Sequence, residues 1–228
     1  MEAAIELLDS QGEHALTFRA LAARLETGHG AIQWHIANKA ELLQAATDAV
    51  VARAIAGAGV GVGVGVGVGV GVAAGGAQPR EAIRAAALGV FDAIDAHPWA
   101  GAELSREPWQ SAVLRIFESF GGPLRGLGVP EPEQFDCATA LLNYVLGLAG
   151  QYAAAARLIT RETDRAAFLS ALADRWERLD PARYPFTRRA AAKLREHDDR
   201  EQFLAGLDLI LAGAAAAGEN GPVDGRAG

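Results

Sequence analysis

The stretch Leu16 to Leu43, LTFRALAARLETGHGAIQWHIANKAELL, decides the fold. Thr17 is a good N-cap, and behind it Phe18, Leu21, Ala22 and Leu25 recur at helical spacing on one face. Glu26-Thr27-Gly28 breaks that pattern. A second short helix follows, with Ile32 and Ile36 inward and His29, Gln33, Trp34 and His35 at the surface. Asn38 with Glu41 three residues on is a capping-box start for a third helix, whose apolar face includes Leu42, Leu43, Ala46 and Val50. Two short helices about a tight turn, braced by a third, suit a helix-turn-helix that lays its second helix in the major groove of DNA.

These residues resemble the N-terminal domain of the tetracycline-repressor (TetR) family of bacterial regulators. The resemblance is carried by Leu16-Thr17-x-Arg19-x-Leu21-Ala22, by Gly30-Ala31-Ile32 and by Trp34-His35-Ile36-x-Asn38-Lys39-x-x-Leu42-Leu43. Ala3-Ala4-Ile5-Glu6-Leu7-Leu8 with Gly12 adds to it. It covers about residues 1–50, and the remainder is similar only in overall architecture. The resemblance implies that Thr17, Arg19 and Lys39 hold phosphates while His29, Gly30, Ala31 and Gln33 face bases. Thr27, Trp34 and His35 complete the expected DNA-facing set. Phosphate contacts fix register and base contacts give sequence preference. The chain departs from the family at two points. Glu26 stands where a turn glycine is usual, straining the turn, and Gln33 where a tyrosine is usual.

Charge bears on this expectation. The net charge is −7, and residues 1–46 hold three basic residues (Arg19, Arg24, Lys39) against six acids (Glu2, Glu6, Asp9, Glu13, Glu26, Glu41). Phosphate neutralisation supplies much of DNA affinity, so the head is weakly endowed. Relatives usually carry a basic arm before the first helix; either the start lies further upstream or the arm is lacking.

Beyond the head the pattern stays helical. Segments are expected at 39–56, 79–97, 99–104, from a Ser105 cap to Gly121-Gly122-Pro123, at 133–159, 163–179, 186–196 and from an Asp198/Glu201 capping box to 217. Nothing resembles βαβ alternation. The expected fold is all-α: a helix-turn-helix domain at 1–46 (motif about 17–36), then a helical effector-binding and dimerisation domain at 47–217. Within it, seven Gly-Val repeats from Gly59 to Val72 read as a low-complexity surface loop spanning 57–77. Residues 218–228 read as a disordered tail.

Sites in the body are less specific. Trp99, Trp109, Phe117, Phe120, Tyr144 and Tyr152, with the polar Asn143 and Gln151, are candidates for the wall of a mainly apolar pocket around a small-molecule effector. Leu141, Val145, Leu207, Ile210 and Leu211 are candidates for a homodimer face. The stretch 137–159, uncharged apart from Arg157 in its last turn, is long enough to cross a membrane. Its polar side chains, and acids placed before it, fit a buried helix better. The single Cys137 excludes an intramolecular disulfide and reads as an inert thiol. No spacing suits a metal, no catalytic set stands out, and His97 and His197 at helix boundaries read as capping residues. No cofactor, enzyme activity or membrane partner is expected. The expected function is a cytoplasmic, ligand-responsive dimeric repressor of a palindromic double-stranded DNA operator; the alternative is an effector-binding module with weakened DNA binding.

Overall fold

The computed structural model describes residues 1–28, 36–59, 78–106, 110–158 and 165–220. Every regular element among them is helical: α1 (Glu2–Gln11), α2 (Phe18–Arg24), α3 (Lys39–Gly57), α4 (Pro79–Ala96), α5 (Pro98–Leu104), α6 (Ser111–Gly126), α7 (Glu131–Leu158), α8 (Arg165–Glu177), α9 (Pro185–Arg195) and α10 (Asp199–Asn220). A single 3₁₀ turn, Glu13–Ala15, joins α1 to the strand-like Leu16 that precedes α2. Residues 29–35, where the second helix of the motif is expected, lie outside the described residues, as do most of the Gly-Val tract and residues 221–228.

The starts of the head helices follow from their caps. The Thr17 hydroxyl accepts the Ala20 N–H at 3.1 Å, and Asn38 Oδ1 accepts the Glu41 N–H at 2.9 Å. Glu41 reaches back to the N–H of Ala37, one residue before the N-cap, at 2.9 Å, an arrangement close to a capping box. Each such cap contributes about 1 kcal/mol.

Two apolar cores form among the described residues, and α3 threads both. Leu42, Leu43, Ala46 and Val50 pack with Ile5, Leu8, Leu16 and Leu21 in the head. Val51 and Ile55, half a turn on, belong to the body core with Ile83, Val90, Ile116, Phe120 and Leu141. The 3.6-residue period gives one helix two inward faces in succession. α4 then crosses α3 at Gly89, where an added Cβ would lie 2.8 Å from the Ala54 carbonyl oxygen.

In the body, α4, α6 and α7 pack on one another, α10 lies along α7 and α4, and α8 pairs with α9. α4 and α10 are antiparallel: Arg200 meets Asp92 at 3.2 Å, and Arg80 meets Asp208 at 3.2 Å.

Three sequence expectations change. Ser105 does not cap α6; it closes α5, its hydroxyl donating to the Gly101 carbonyl at 3.1 Å, and α6 starts at Ser111 behind Gln110. The Gly121-Gly122-Pro123 triplet does not stop α6, which runs on to Gly126. Proline removes one N–H, but the following turns continue, and Leu127 N–H still reaches the Pro123 carbonyl at 2.9 Å. The final helix continues to Asn220 rather than ending at 217.

Candidate nucleic-acid interface and its joint to the body

The described half of the motif presents α2 and the N-terminus of α3. Arg19 is exposed and takes no ion pair among the described residues, which suits a phosphate contact. Arg24, by contrast, is held by Glu6 at 2.6 Å. Lys39 donates to the Glu13 backbone carbonyl at 2.7 Å. Thr17 is occupied as a cap through its oxygen, leaving its hydroxyl proton to donate outward. Thr27 is exposed, its backbone N–H closing the turn on the Ala22 carbonyl at 3.1 Å. The turn itself passes through Glu26 at φ 51°, the left-handed conformation that favours glycine. His29, Gly30, Ala31, Gln33, Trp34 and His35 fall outside the described residues.

Sequence reasoning missed how the head is joined to the body. Asp9, near the end of α1, accepts the Trp99 indole N–H at 2.7 Å and faces His97 Nδ1 at 2.8 Å. Glu13 pairs with Arg106 at 2.9 Å, and Arg106 also reaches Glu103 at 2.8 Å. The hydrogen bond to Glu13 is the largest influence raising the Arg106 pKa, with burial opposing it. Glu103 is buried, its side chain 4% exposed, and its backbone carbonyl accepts from Gln110 Nε2 at 2.9 Å. A third strap, Glu2 to Arg53 Nη1 at 3.0 Å, ties α1 to α3. The only signal in the sequence was the excess of head acids, read there as unfavourable for DNA; three of them are partners for body cations and rings.

The six aromatic candidates for an effector wall do not share one chamber. Trp99 belongs to the head–body joint and packs on the head core. Tyr144 is clamped between α7 and α10: its hydroxyl donates to the Phe203 carbonyl at 3.0 Å and its ring stacks on Phe203 at 5.6 Å. Gly206 leaves room for it, since a Cβ there would clash with the phenol oxygen. Burial pushes the Tyr144 phenol pKa up. Phe120 is fully enclosed in the core, with Phe117 beside it and edge-on to Phe135. Trp109 and the Tyr152 side chain lie outside the described residues.

The expected dimer face also needs correction. Leu141, Val145, Leu207 and Leu211 are all buried inside the protomer, and Ile210 packs partly against the same core. These are the residues that join α7 and α10 to α4 and α6, so they are not free to meet a second copy. The faces left open are instead Ala140, Asn143 and Gly147 on α7, with Ala205, Leu209, Ala212 and Gly213 on α10. Leu209 is 76% exposed.

Cys137 is half-buried and free, and its thiol pKa is raised, first by burial and then by Glu133 and Asp136, which leaves it a poor nucleophile. His97 does close α4, but its ring is used on Asp9; the His197 ring faces Asp199 at 2.9 Å. No described helix is long and apolar enough to cross a membrane.

Comparison with known proteins agrees with this geometry. The family model described as bacterial regulatory proteins, tetR family, matches residues 1–46, and that of the tetracyclin repressor-like C-terminal domain matches residues 75–217. An HTH-type transcriptional regulator of Saccharopolyspora erythraea is 30% identical over 175 residues, spanning 76% of this chain and 66% of that protein. A TetR transcriptional regulator from Streptomyces coelicolor is 49% identical, with 95% of each chain covered and a TM-score of 0.79. BioQ, a protein of Mycobacterium smegmatis solved with its natural double-stranded DNA operator, is 25% identical; 94% of this chain and 95% of that one are covered, at a TM-score of 0.57.

Proposed function

Because the chain belongs to the tetR family of bacterial regulatory proteins, we propose that it is a cytoplasmic, dimeric, ligand-responsive repressor rather than an enzyme. Two heads related by a two-fold axis would read a palindromic operator, with half-sites about one DNA turn apart. The regulator solved with its operator supports DNA as the partner. Thr17, Arg19, Thr27 and Lys39 would hold phosphates, and His29, Gly30, Ala31, Gln33, Trp34 and His35 would meet the bases or their flanks.

The observation that carries the regulatory half of the reading is the chain of contacts Glu13–Arg106–Glu103. Glu103 and Gln110 are buried polar groups at the junction of α5 and α6. A small molecule seated beside them would shift α5 and so pull on Glu13 of the head. Such coupling is worth about 1–3 kcal/mol when the two states bind the effector differently. The small-residue faces of α7 and α10 would form the dimer.

The test is binding to fragments of the gene's own upstream intergenic region at two salt concentrations. Parent protein should select one fragment. Gln33→Ala should change which fragment is preferred, and Arg19→Ala should weaken all of them alike. A protein that selects none at low salt would instead be an effector-binding module, the reading favoured by the poverty of free cations on the head.

A further inference from the structure

Positive charge is concentrated far along the chain from the head. Residues 165–195 hold eight basic side chains against three acids, a net +5 within a chain of net −7. They fold into α8 and α9, a hairpin whose two helices pack on each other. Its three acids are already engaged. Arg195 takes both Asp174 and Glu177 at 2.7 Å, and Asp180 accepts the Ala182 N–H at 2.8 Å. Arg188 donates to the Leu179 carbonyl at 2.7 Å, and Arg165 reaches Asp199 at 2.7 Å. Arg175, Arg178, Arg183, Arg189 and Lys193 remain: all five are exposed and take no ion pair among the described residues.

The hairpin leaves the body at its head end. α4 finishes against Asp9 of the head, and Asp92, just over a turn earlier, holds Arg200 at the start of α10. Asp199 beside it holds Arg165, the first residue of α8. Midway along α10, Asp208 meets Arg80 at the start of α4, away from the head.

The base of the hairpin is tied at the head end of the body, while Lys193 lies beside Glu196, Asp198 and Glu201. Arg175, Arg178, Arg183 and Arg189 complement what the head lacks, since Arg24 is neutralised by Glu6 and Lys39 is held on a carbonyl. We propose that the α8–α9 hairpin is a second DNA contact, a sequence-independent grip on the phosphates beside those met by the head. This rests on the DNA-binding reading above. Duplex DNA carries one charge per about 1.7 Å of axis, a dense partner for such a row. The faces of α7 and α10 open to a second copy are mostly small and uncharged, with exposed Asp136 and Glu201 at their N-terminal ends.

The experiment uses a mixed-sequence duplex of about 40 base pairs and full-length protein, with affinity followed across a salt series. Three proteins are compared: parent, Arg19→Ala, and the combined Arg175→Gln, Arg178→Gln, Arg183→Gln, Arg189→Gln and Lys193→Gln variant. The hairpin variant should bind at least tenfold more weakly at low salt, its log–log salt slope flatter by about 2–4, since each lost phosphate contact removes about 0.9. Its sedimentation and melting temperature should match the parent. A parental slope in the hairpin variant, with Arg19→Ala impaired, overturns the hairpin contact alone. A hairpin variant that sediments as monomer assigns the hairpin to a second copy and also overturns it. A parent that fails to bind duplex at any salt overturns both this contact and the DNA-binding reading.

Discussion

Asp9 Oδ1 lies 2.7 Å from the Trp99 indole nitrogen, so the first helix of the head hangs on the first turn of α5. The bond joins residues ninety positions apart in sequence. Trp99→Phe keeps an aromatic body and deletes the donor. It should lower the urea midpoint by the equivalent of about 1–2 kcal/mol, the lower figure reflecting partial exposure. An unchanged midpoint would mean that the joint is held by its neighbours and that this bond contributes nothing.

Leu207 and Leu209 differ by two positions and face opposite ways. Leu207 is fully buried and Leu209 is 76% exposed. If the open faces of α7 and α10 pair two copies as proposed, Leu209→Glu should sediment as monomer while circular dichroism and melting stay near parental values. Leu207→Glu should unfold the protomer, because an unpaired carboxylate in an apolar core costs several kcal/mol. If Leu209→Glu stays dimeric, the dimer forms through another face.

Glu26 occupies the turn of the head at φ 51°. Replacing it with glycine relieves a left-handed conformation that costs a side-chain-bearing residue about 1 kcal/mol. Some of the gain is returned as unfolded-state entropy. Glu26→Gly should therefore raise the thermal midpoint slightly, by about 0.5 kcal/mol of stability, and Glu26→Val should lower it. Equal midpoints for both would show the turn to be unstrained.

Asp208 holds α10 against α4 through Arg84 and Arg80. The hydrogen bond from Arg84 is the main cause that depresses its carboxyl pKa, with burial opposing it. A depressed folded pKa means stability that is present above the ordinary aspartate range and is lost as pH falls through the folded value. Asp208→Asn should then be less stable than parent at neutral pH by about 1 kcal/mol or less, the pair being partly exposed to solvent. The gap should close in acid, below the usual aspartate titration. A gap that persists there would be due to packing and not charge.

Much of the architecture can be read in one dimension. Thr17, Asn38 and Glu41 are short-range caps, and the helices they open are found where the spacing puts them. What spacing cannot say is which neighbour covers an apolar face. Leu141, Val145, Leu207 and Leu211 form an uncharged stripe that looks the same whether α4 and α6 cover it or a second copy does; here α4 and α6 do. Trp99 and Tyr144 read equally as pocket lining until Asp9 and Phe203 are seen beside them. Arg106 was silent, because Glu13, the partner that ties it to the head, lies ninety-three positions away in sequence. The hairpin charge was present in the composition of 165–195, but its importance depends on where that segment leaves the body.

The close crossing of Gly89 and Ala54 makes α3 a lever with a fulcrum of bare backbone. From Ala54 to Lys39 the arm is about 22 Å, at ~1.5 Å per residue. A tilt of about 5° at that point displaces the DNA-facing end by about 2 Å, and in the proposed dimer the same tilt in both protomers would change the span between two heads by up to twice that. A sub-ångström repacking beside α4 is therefore geared up, by length alone, to a distance comparable with the tolerance of base contacts. Any side chain at position 89 would move the fulcrum and alter that gearing.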